Sequence, residues 1–214
     1  RGKGPTLETT DVNTKAAAAT PSRTRSVAFV GLTIAIMAVS AWITIPLGPV
    51  PFTLQMFAVT FAIVVLTPTQ AMASIAGYLL LGAVGLPVFS GMRGGFGVLA
   101  GPTGGFLWGY LIGVAAAVAL LHLVRTRTGW DAGRRERALD PAAAAAQTPV
   151  QRIGRFLRAS GVEVLAGVLF TAIAYACGCV PSAAVAGVSL EAAFLVACAP
   201  FIVVDACKIV AAVA

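Results

Sequence analysis

The sequence predicts an all-α integral membrane protein of six transmembrane helices with a structured Gly-rich outer loop. Three observations carry that prediction. Of 214 residues, 58% are hydrophobic and 11% charged, where soluble domains run about 45–50% apolar and about 25% charged. Mean hydropathy is +0.91, and at about 20 apolar residues per span the length allows five or six helices with short loops. The Lys and Arg residues gather in two regions, as expected of loops on one side of a membrane. A net charge of +7 is therefore assigned to the lipid bilayer, and no nucleic-acid partner is expected. No secretory leader is read, because the first apolar run is of full span length and follows a long polar region.

Residues 1–24 are polar and rich in Ala and Thr, too poor in apolar surface to fold alone. They are predicted to be a disordered cytoplasmic arm ahead of one membrane domain over 25–214. The first predicted helix runs from Ser26 to Ile45 and stops at Pro46, since the residue before a proline is pushed out of the α region. Pro46-Leu47-Gly48-Pro49-Val50-Pro51 reads as a turn-rich loop. The second helix runs from Phe52 to Leu66 and is broken by Thr67-Pro68-Thr69, and the third runs from Gln70 to Val84. A Gly-rich loop fills Gly85 to Thr103, and the fourth helix covers Gly104 to Val124. The polar stretch from Arg125 to Arg158, with its low-complexity run Ala142–Ala146, is a basic cytoplasmic loop. The fifth helix covers Ser160 to Cys179 and ends beside Pro181. The last segment has two readings: one long helix from Leu190, or a short interfacial helix over Leu190 to Cys198 with the sixth helix starting at Pro200. The second is preferred, because proline suits a first helical turn. It sets Asp205 about 7–8 Å and Lys208 about 12 Å below the helix start, at about 1.5 Å per residue.

Arg1, Lys3, Lys15, Arg23 and Arg25 precede the first helix, and Arg125, Arg127, Arg134, Arg135, Arg137, Arg152, Arg155 and Arg158 lie between the fourth and fifth. With six spans the two groups share one side, which makes both termini cytoplasmic. The 125–158 loop then touches anionic headgroups. Gly105, Gly109, Gly113 and Ala117 recur every four residues, a stripe that lets helix backbones approach closely within the bundle. Gly31 and Ala35, with Ala38 nearby, form a shorter stripe that packs internally or docks another membrane subunit.

The four cysteines, Cys177, Cys179, Cys198 and Cys207, form no CxxC, and the single histidine, His122, cannot complete a zinc set. They read as small apolar residues. Gly95-Phe96-Gly97-Val98-Leu99-Ala100 matches a dinucleotide pattern, but lies between membrane helices rather than in a βαβ unit. Its glycines suit close approach of backbone to a ligand, with Arg93 available for an anion. His122 has no partner for nucleophilic catalysis. Glu163 and Glu191 each read as acids near a helix start, where the dipole favours them. Asp205 and Lys208 stand out, since ionisable groups at membrane depth are costly and usually face a cavity or each other. Their i, i+3 spacing puts both on one helical face. They are either a structural ion pair, a ligand site, or an ion relay.

Four stretches then stand in order: Pro46-Leu47-Gly48-Pro49-Val50-Pro51-Phe52-Thr53-Leu54-Gln55, the run from Tyr78 to Phe89, the run from Arg93 to Gly105, and Asp205-x-x-Lys208. Together they resemble the BioY family, the biotin-binding S components of energy-coupling-factor (ECF) vitamin transporters, from about residue 26 to 214. The resemblance implies a non-enzymatic transport subunit of a bacterial or archaeal cytoplasmic membrane. It implies biotin as the transported ligand and no bound cofactor. Its partners would be a transmembrane coupling subunit and two cytoplasmic ATPases that use ATP. Gly31, Ala35 and Ala38 on the first helix fit the docking stripe of such transporters loosely. Within this reading Lys208 is the candidate partner of the biotin carboxylate and Asp205 the candidate acceptor for ureido N–H groups, with the alternative that Asp205 mainly orients Lys208. Phe52, Tyr78 and Phe89 are candidates to wall the bicycle, Gln55, Ser90 and Arg93 to add polar contacts, and Gly91 to permit close backbone approach. The other readings are an S component for another small vitamin, a membrane-embedded transferase or protease using Asp205 as acid or base, and a purely structural subunit.

Overall fold

The computed structural model describes residues 23–45, 51–128 and 149–213. Nearly all of the predicted arm, most of the Pro-rich loop at 46–51, and the middle of the basic loop, including Arg134, Arg135 and Arg137, lie outside the described residues. The elements in chain order are α1 (Arg23–Trp42), β1 (Thr44–Ile45), β2 (Phe52–Thr53), α2 (Gln55–Val65), α3 (Pro68–Val84), α4 (Phe96–Leu99), α5 (Gly104–Thr128), α6 (Pro149–Ala186), α7 (Leu190–Ala197), a 3-10 turn (Ala199–Phe201) and α8 (Ile202–Val213). Among the described residues four stretches are long and apolar enough to cross a membrane: Arg23–Trp42, Gly104–Arg127, Ser160–Ala186 and Leu190–Val213. The chain is thus a mostly helical membrane protein, with α2 and α3 apolar but shorter.

The all-α prediction misses a two-stranded ribbon. The first helix ends at Trp42, three residues before the predicted Ile45, and β1 pairs antiparallel with β2 through Thr44 opposite Thr53 and Ile45 opposite Phe52. Hydropathy does not separate a short apolar strand from the end of an apolar helix. β-branched Thr44 and Ile45 leave the helix, and the Thr44 hydroxyl donates to the Ala41 carbonyl at 2.6 Å. Leu54 N–H reaches back to Ser40 O at 3.2 Å, so α2 starts beside the end of α1.

α3 begins two residues earlier than predicted, with Pro68 in its first turn and a capping box in which Thr67 and Gln70 exchange side-chain and backbone bonds. It closes on Gly85, whose φ of 113° belongs to the left-handed region that glycine occupies freely. Gln70 Nε2 donates to Ser26 Oγ at 3.1 Å, and Trp42 Nε1 donates to Pro87 O at 2.7 Å. α1 and α3 therefore run in the same direction, with α2 returning between them.

α5 and α6 form the largest helix pair. A Cβ on Gly109 would lie 2.8 Å from Ala174 Cα, and one on Gly113 would lie 2.9 Å from the Phe170 ring, so the predicted glycine stripe does pack inside the bundle. α6 is far longer than the predicted Ser160 to Cys179, and Pro181 lies inside it rather than at its end. Pro181 offers no N–H to the Cys177 carbonyl one turn back, and beside it the Ser182 hydroxyl donates to Gly178 O at 2.8 Å. The early start also moves Glu163 away from any helix N-terminus. It is buried well inside α6, with Oε1 3.7 Å from Nη2 of Arg125 on α5. The predicted link of Glu191 to a helix start holds, in the first turn of α7 behind the Ser189 N-cap. After α7 the helix breaks at Cys198 and resumes through the 3-10 turn containing Pro200. The preferred reading of this segment is close, except that α7, the turn and α8 make up one apolar stretch of span length.

These contacts leave Arg23 and Arg25 at the start of α1 and Arg125 and Arg127 at the end of α5, opposite the ribbon and the Gly-rich loop. Substituting Gly109→Leu is expected to force α5 from α6 and destabilise the chain by about 1–3 kcal/mol. A lowered thermal midpoint in detergent, with Gly97→Ala unchanged because no atom lies within 4 Å of its Cβ position, is the expected result.

Candidate ligand-binding site

Beneath the ribbon and the Gly-rich loop lies an open cleft, about 670 Å³ when the space open to solvent at its mouth is included. Its walls are mainly apolar: Phe52 from β2, Met56 from α2, Phe89 and Val98 from the loop, Phe106, Leu107 and Tyr110 from α5, Ala197 from α7, and Phe201 from the 3-10 turn. Such a surface with a few fixed polar groups is the usual make-up of a small-molecule site. The polar groups are Asp205 and Lys208 on α8, Tyr175 on α6, Thr53, Gln55, Ser90, Arg93 and Thr103.

Asp205 and Lys208 are both buried. Lys208 Nζ donates to Asp205 Oδ1 at 2.8 Å and to the Thr53 carbonyl at 2.8 Å, and sits 3.9 Å from the centre of the Phe52 ring. The ammonium is thus met by an anion, a carbonyl and an aromatic face, which together replace the water it has lost. The second carboxylate oxygen of Asp205 accepts a hydrogen bond from the Tyr175 hydroxyl. Phe201, four residues before Asp205 and on the same helical face, tilts against Phe52 with centroids 5.8 Å apart.

The Gly-rich loop forms a tight turn in which Phe89 N–H bonds Arg93 O at 2.9 Å. Gly91 and Met92, at φ 70° and 55°, take the left-handed conformation there. Arg93 Nε donates to Ser90 O at 3.1 Å, and Ser90 Oγ is 3.2 Å from Thr44 Oγ1, so loop and ribbon are tied together. A Cβ on Gly82 would collide with the Phe89 ring, which therefore seats on bare α3 backbone.

Seven of the sequence-predicted residues line this one cleft: Phe52, Gln55, Phe89, Ser90, Arg93, Asp205 and Lys208. Tyr78 does not line it. It is fully buried behind the wall, where its hydroxyl accepts from Gln55 Nε2 at 2.8 Å and donates to Val88 O at 2.9 Å, and its ring meets Phe89 edge-on. Gly91 serves the turn and is likewise not in the lining. On α1, Gly31 and Ala35 are exposed, whereas Ala38 is buried in the chain's own core and does not belong to an outward stripe. His122 is exposed near the end of α5. Among the described residues no group of three or more His, Cys, Asp or Glu is placed to hold a metal ion.

Sequence reasoning missed Tyr175, Tyr110 and Phe201. Phe201 was within reach of the helical spacing that links Asp205 and Lys208. Tyr175 carried only the weaker signal of a phenol inside an apolar run, where a hydroxyl needs a partner.

The BioY family model matches residues 12–214, nearly the whole sequence. The chain belongs to the BioY family. It is 48% identical over 100 residues to the biotin transporter BioY of Thermotoga maritima, covering 47% of this chain and 59% of that one. With the probable biotin transporter BioY of Pyrococcus horikoshii it shares 45% over 85 residues, 40% of this chain and 52% of the other. Biotin transporter BioY2 of Lactococcus lactis matches at 42% over 103 residues, 48% and 57% of the two chains. The matched stretch spans little more than half the length of these curated relatives. The fold is similar to a crystal structure of the S-component for biotin from an ECF-type ABC transporter, with a TM-score of 0.65 at 22% identity, covering 89% of this chain and 87% of that one.

Removing one member of a buried ion pair strands the other, at a cost of about 3–5 kcal/mol, whereas replacing both by apolar groups is often close to neutral. Asp205→Leu and Lys208→Met are therefore each expected to lower the thermal midpoint more than the double variant does. A double variant whose loss equals the sum of the two single losses would show that the pair is not coupled.

Proposed function

We propose that the cleft binds biotin and that this BioY-family chain is the substrate-binding S component of an ECF-type ABC transporter. The observation that carries the reading is the buried Asp205–Lys208 pair, hydrogen-bonded at the floor of an apolar cleft. Biotin combines an apolar bicycle and tail with a ureido group of two donors and one acceptor, and a single carboxylate. The floor supplies matching groups: lone pairs on Asp205 for N–H donors and a remaining Lys208 proton for the ureido oxygen. The aromatic rings of Phe52, Phe89 and Phe201 suit the bicycle.

The geometry favours a different place for the carboxylate than Lys208. Lys208 already has an anion at 2.8 Å, and a second carboxylate there would face Asp205. Arg93 is exposed at the cleft mouth, and among the described residues no carboxylate pairs with it. We assign the ureido head to the Asp205–Lys208 floor and the carboxylate to Arg93, with Ser90 and Gln55 as further polar contacts.

In this reading the chain crosses a bacterial or archaeal cytoplasmic membrane six times, with both termini and the basic 125–158 segment cytoplasmic and the cleft facing outward. The alternating helix directions and the arginines at the end opposite the cleft support it. The chain catalyses no reaction. A transmembrane coupling subunit and two cytoplasmic ATPases supply ATP hydrolysis, and the exposed Gly31 and Ala35 on α1 are the proposed docking contact.

Binding of labelled biotin to the detergent-solubilised chain, with other vitamins as competitors, tests the ligand. Asp205→Asn and Lys208→Ala are expected to abolish binding, and unchanged affinity in both would remove the site assignment. Arg93→Ala should weaken biotin about 10–100-fold, the value of a charged hydrogen bond of about 1.5–3 kcal/mol, yet leave biotin methyl ester almost unaffected. If Lys208→Ala rather than Arg93→Ala erases the preference for the free acid, the carboxylate lies at the floor. Gly31→Leu, with open space around it, should leave biotin binding intact and reduce co-purification with the coupling subunit.

A further inference from the structure

We propose that Cys179 and Cys198 are a redox-active pair that closes to an intramolecular disulfide, stapling α6 to the corner between α7 and α8. The two thiols come from different elements and are in direct contact, with Sγ atoms 2.9 Å apart. Their residues are 4% and 0% exposed. Cys177 is only partly buried and Cys207 is exposed, so these two are internal controls in the same chain.

The position gives the bond a consequence. Cys179 lies one helical turn beyond Tyr175, which holds Asp205. Cys198 follows Ala197, a lining residue, and is the residue at which the helix breaks before Phe201. A covalent link here would tie the α6 wall to the corner that carries Phe201 and Asp205 to the cleft floor. The break separates the two halves of the Leu190–Val213 stretch, and the bond would fix the corner between them to α6. Neither thiol lines the cleft; both lie one layer behind its wall, Cys198 next to the lining residue Ala197, so a small neutral oxidant suits the pair better than a bulky reagent.

The step balances with hydrogen peroxide as the two-electron oxidant. One thiol loses its proton and attacks the peroxide as the thiolate, forming a sulfenic acid, and the departing hydroxide takes that proton and leaves as water. The neighbouring thiol then displaces that hydroxyl, forming the S–S bond and a second water. Both sulfurs are oxidised, both peroxide oxygens are reduced, and a dithiol reagent reverses the change. A partner thiol already in contact favours ring closure over further oxidation of the sulfenic acid.

The test uses the intact chain in detergent and needs no ligand, so its outcome is separate from that of biotin binding. The protein is treated with hydrogen peroxide, unfolded in SDS and labelled with a polyethylene-glycol maleimide, with and without prior dithiothreitol. Of the four cysteines, two are expected to label after peroxide and all four after reduction. A protease digest should contain one peptide pair joined through Cys179 and Cys198, lighter than the sum by two hydrogens. Four labels after peroxide, a loss that dithiothreitol does not restore, or a cross-link through Cys177, Cys207 or a second molecule would overturn the proposal. Cys179→Ser supplies a second measurement, expected to keep its three labels through peroxide treatment, and a fall to one would count against the pair. The oxidised chain should also show a higher Tm than the reduced one, and equal values would rule out the staple.

Discussion

An ammonium and a carboxylate held away from water, three residues apart on one helix, set the terms for everything around them. Lys208 and Asp205 touch each other, but mutual attraction alone rarely offsets the desolvation of two charges. The rest of the structure supplies the remainder. A phenol arrives from α6, a main-chain carbonyl and an aromatic face from the ribbon. The ribbon, α6 and α8 are thereby fixed relative to one another through a few atoms at the base of the cleft.

The same arrangement explains why an apolar bundle retains an opening. A packed core has no reason to leave a cleft of this size, yet the groups that satisfy the ion pair come from separate elements that splay around it. Phe52 and Phe201 fill the space beside the charges with flat rings. Tyr78 stands behind the wall, holding Gln55 and Phe89 so that both face inward. The surface is preorganised: the polar atoms are already oriented by neighbours, so an incoming solute need not order them.

Much of this was legible in the sequence, for identifiable reasons. Asp205 and Lys208 announced themselves because charge in an apolar run has a definite cost, and helical spacing put them on one face. The glycine stripe of α5 was legible because four-residue spacing has a single geometric meaning in a helix. Positions that depend on contacts distant in sequence were not. Nothing local to Tyr175 tells that Asp205, thirty residues on, is its partner. The ribbon was hidden because Thr44, Ile45 and Phe52 are as apolar or β-branched as the helices they flank. Pro181 misled for the opposite reason: a local rule for ending a helix was overridden by packing against the glycines of α5.

One contact at the floor has a bearing on how such a molecule can vary. Lys208 holds the ribbon through the carbonyl of Thr53, an atom that every amino acid carries. A change of side chain at that position leaves the acceptor in place, so the attachment between ribbon and charged floor is insulated from mutation on the ribbon's side. Only Lys208 itself is exposed to loss. Divergent selection can thus reshape the lip of the cleft, and with it the choice among solutes, without releasing the element from its anchor.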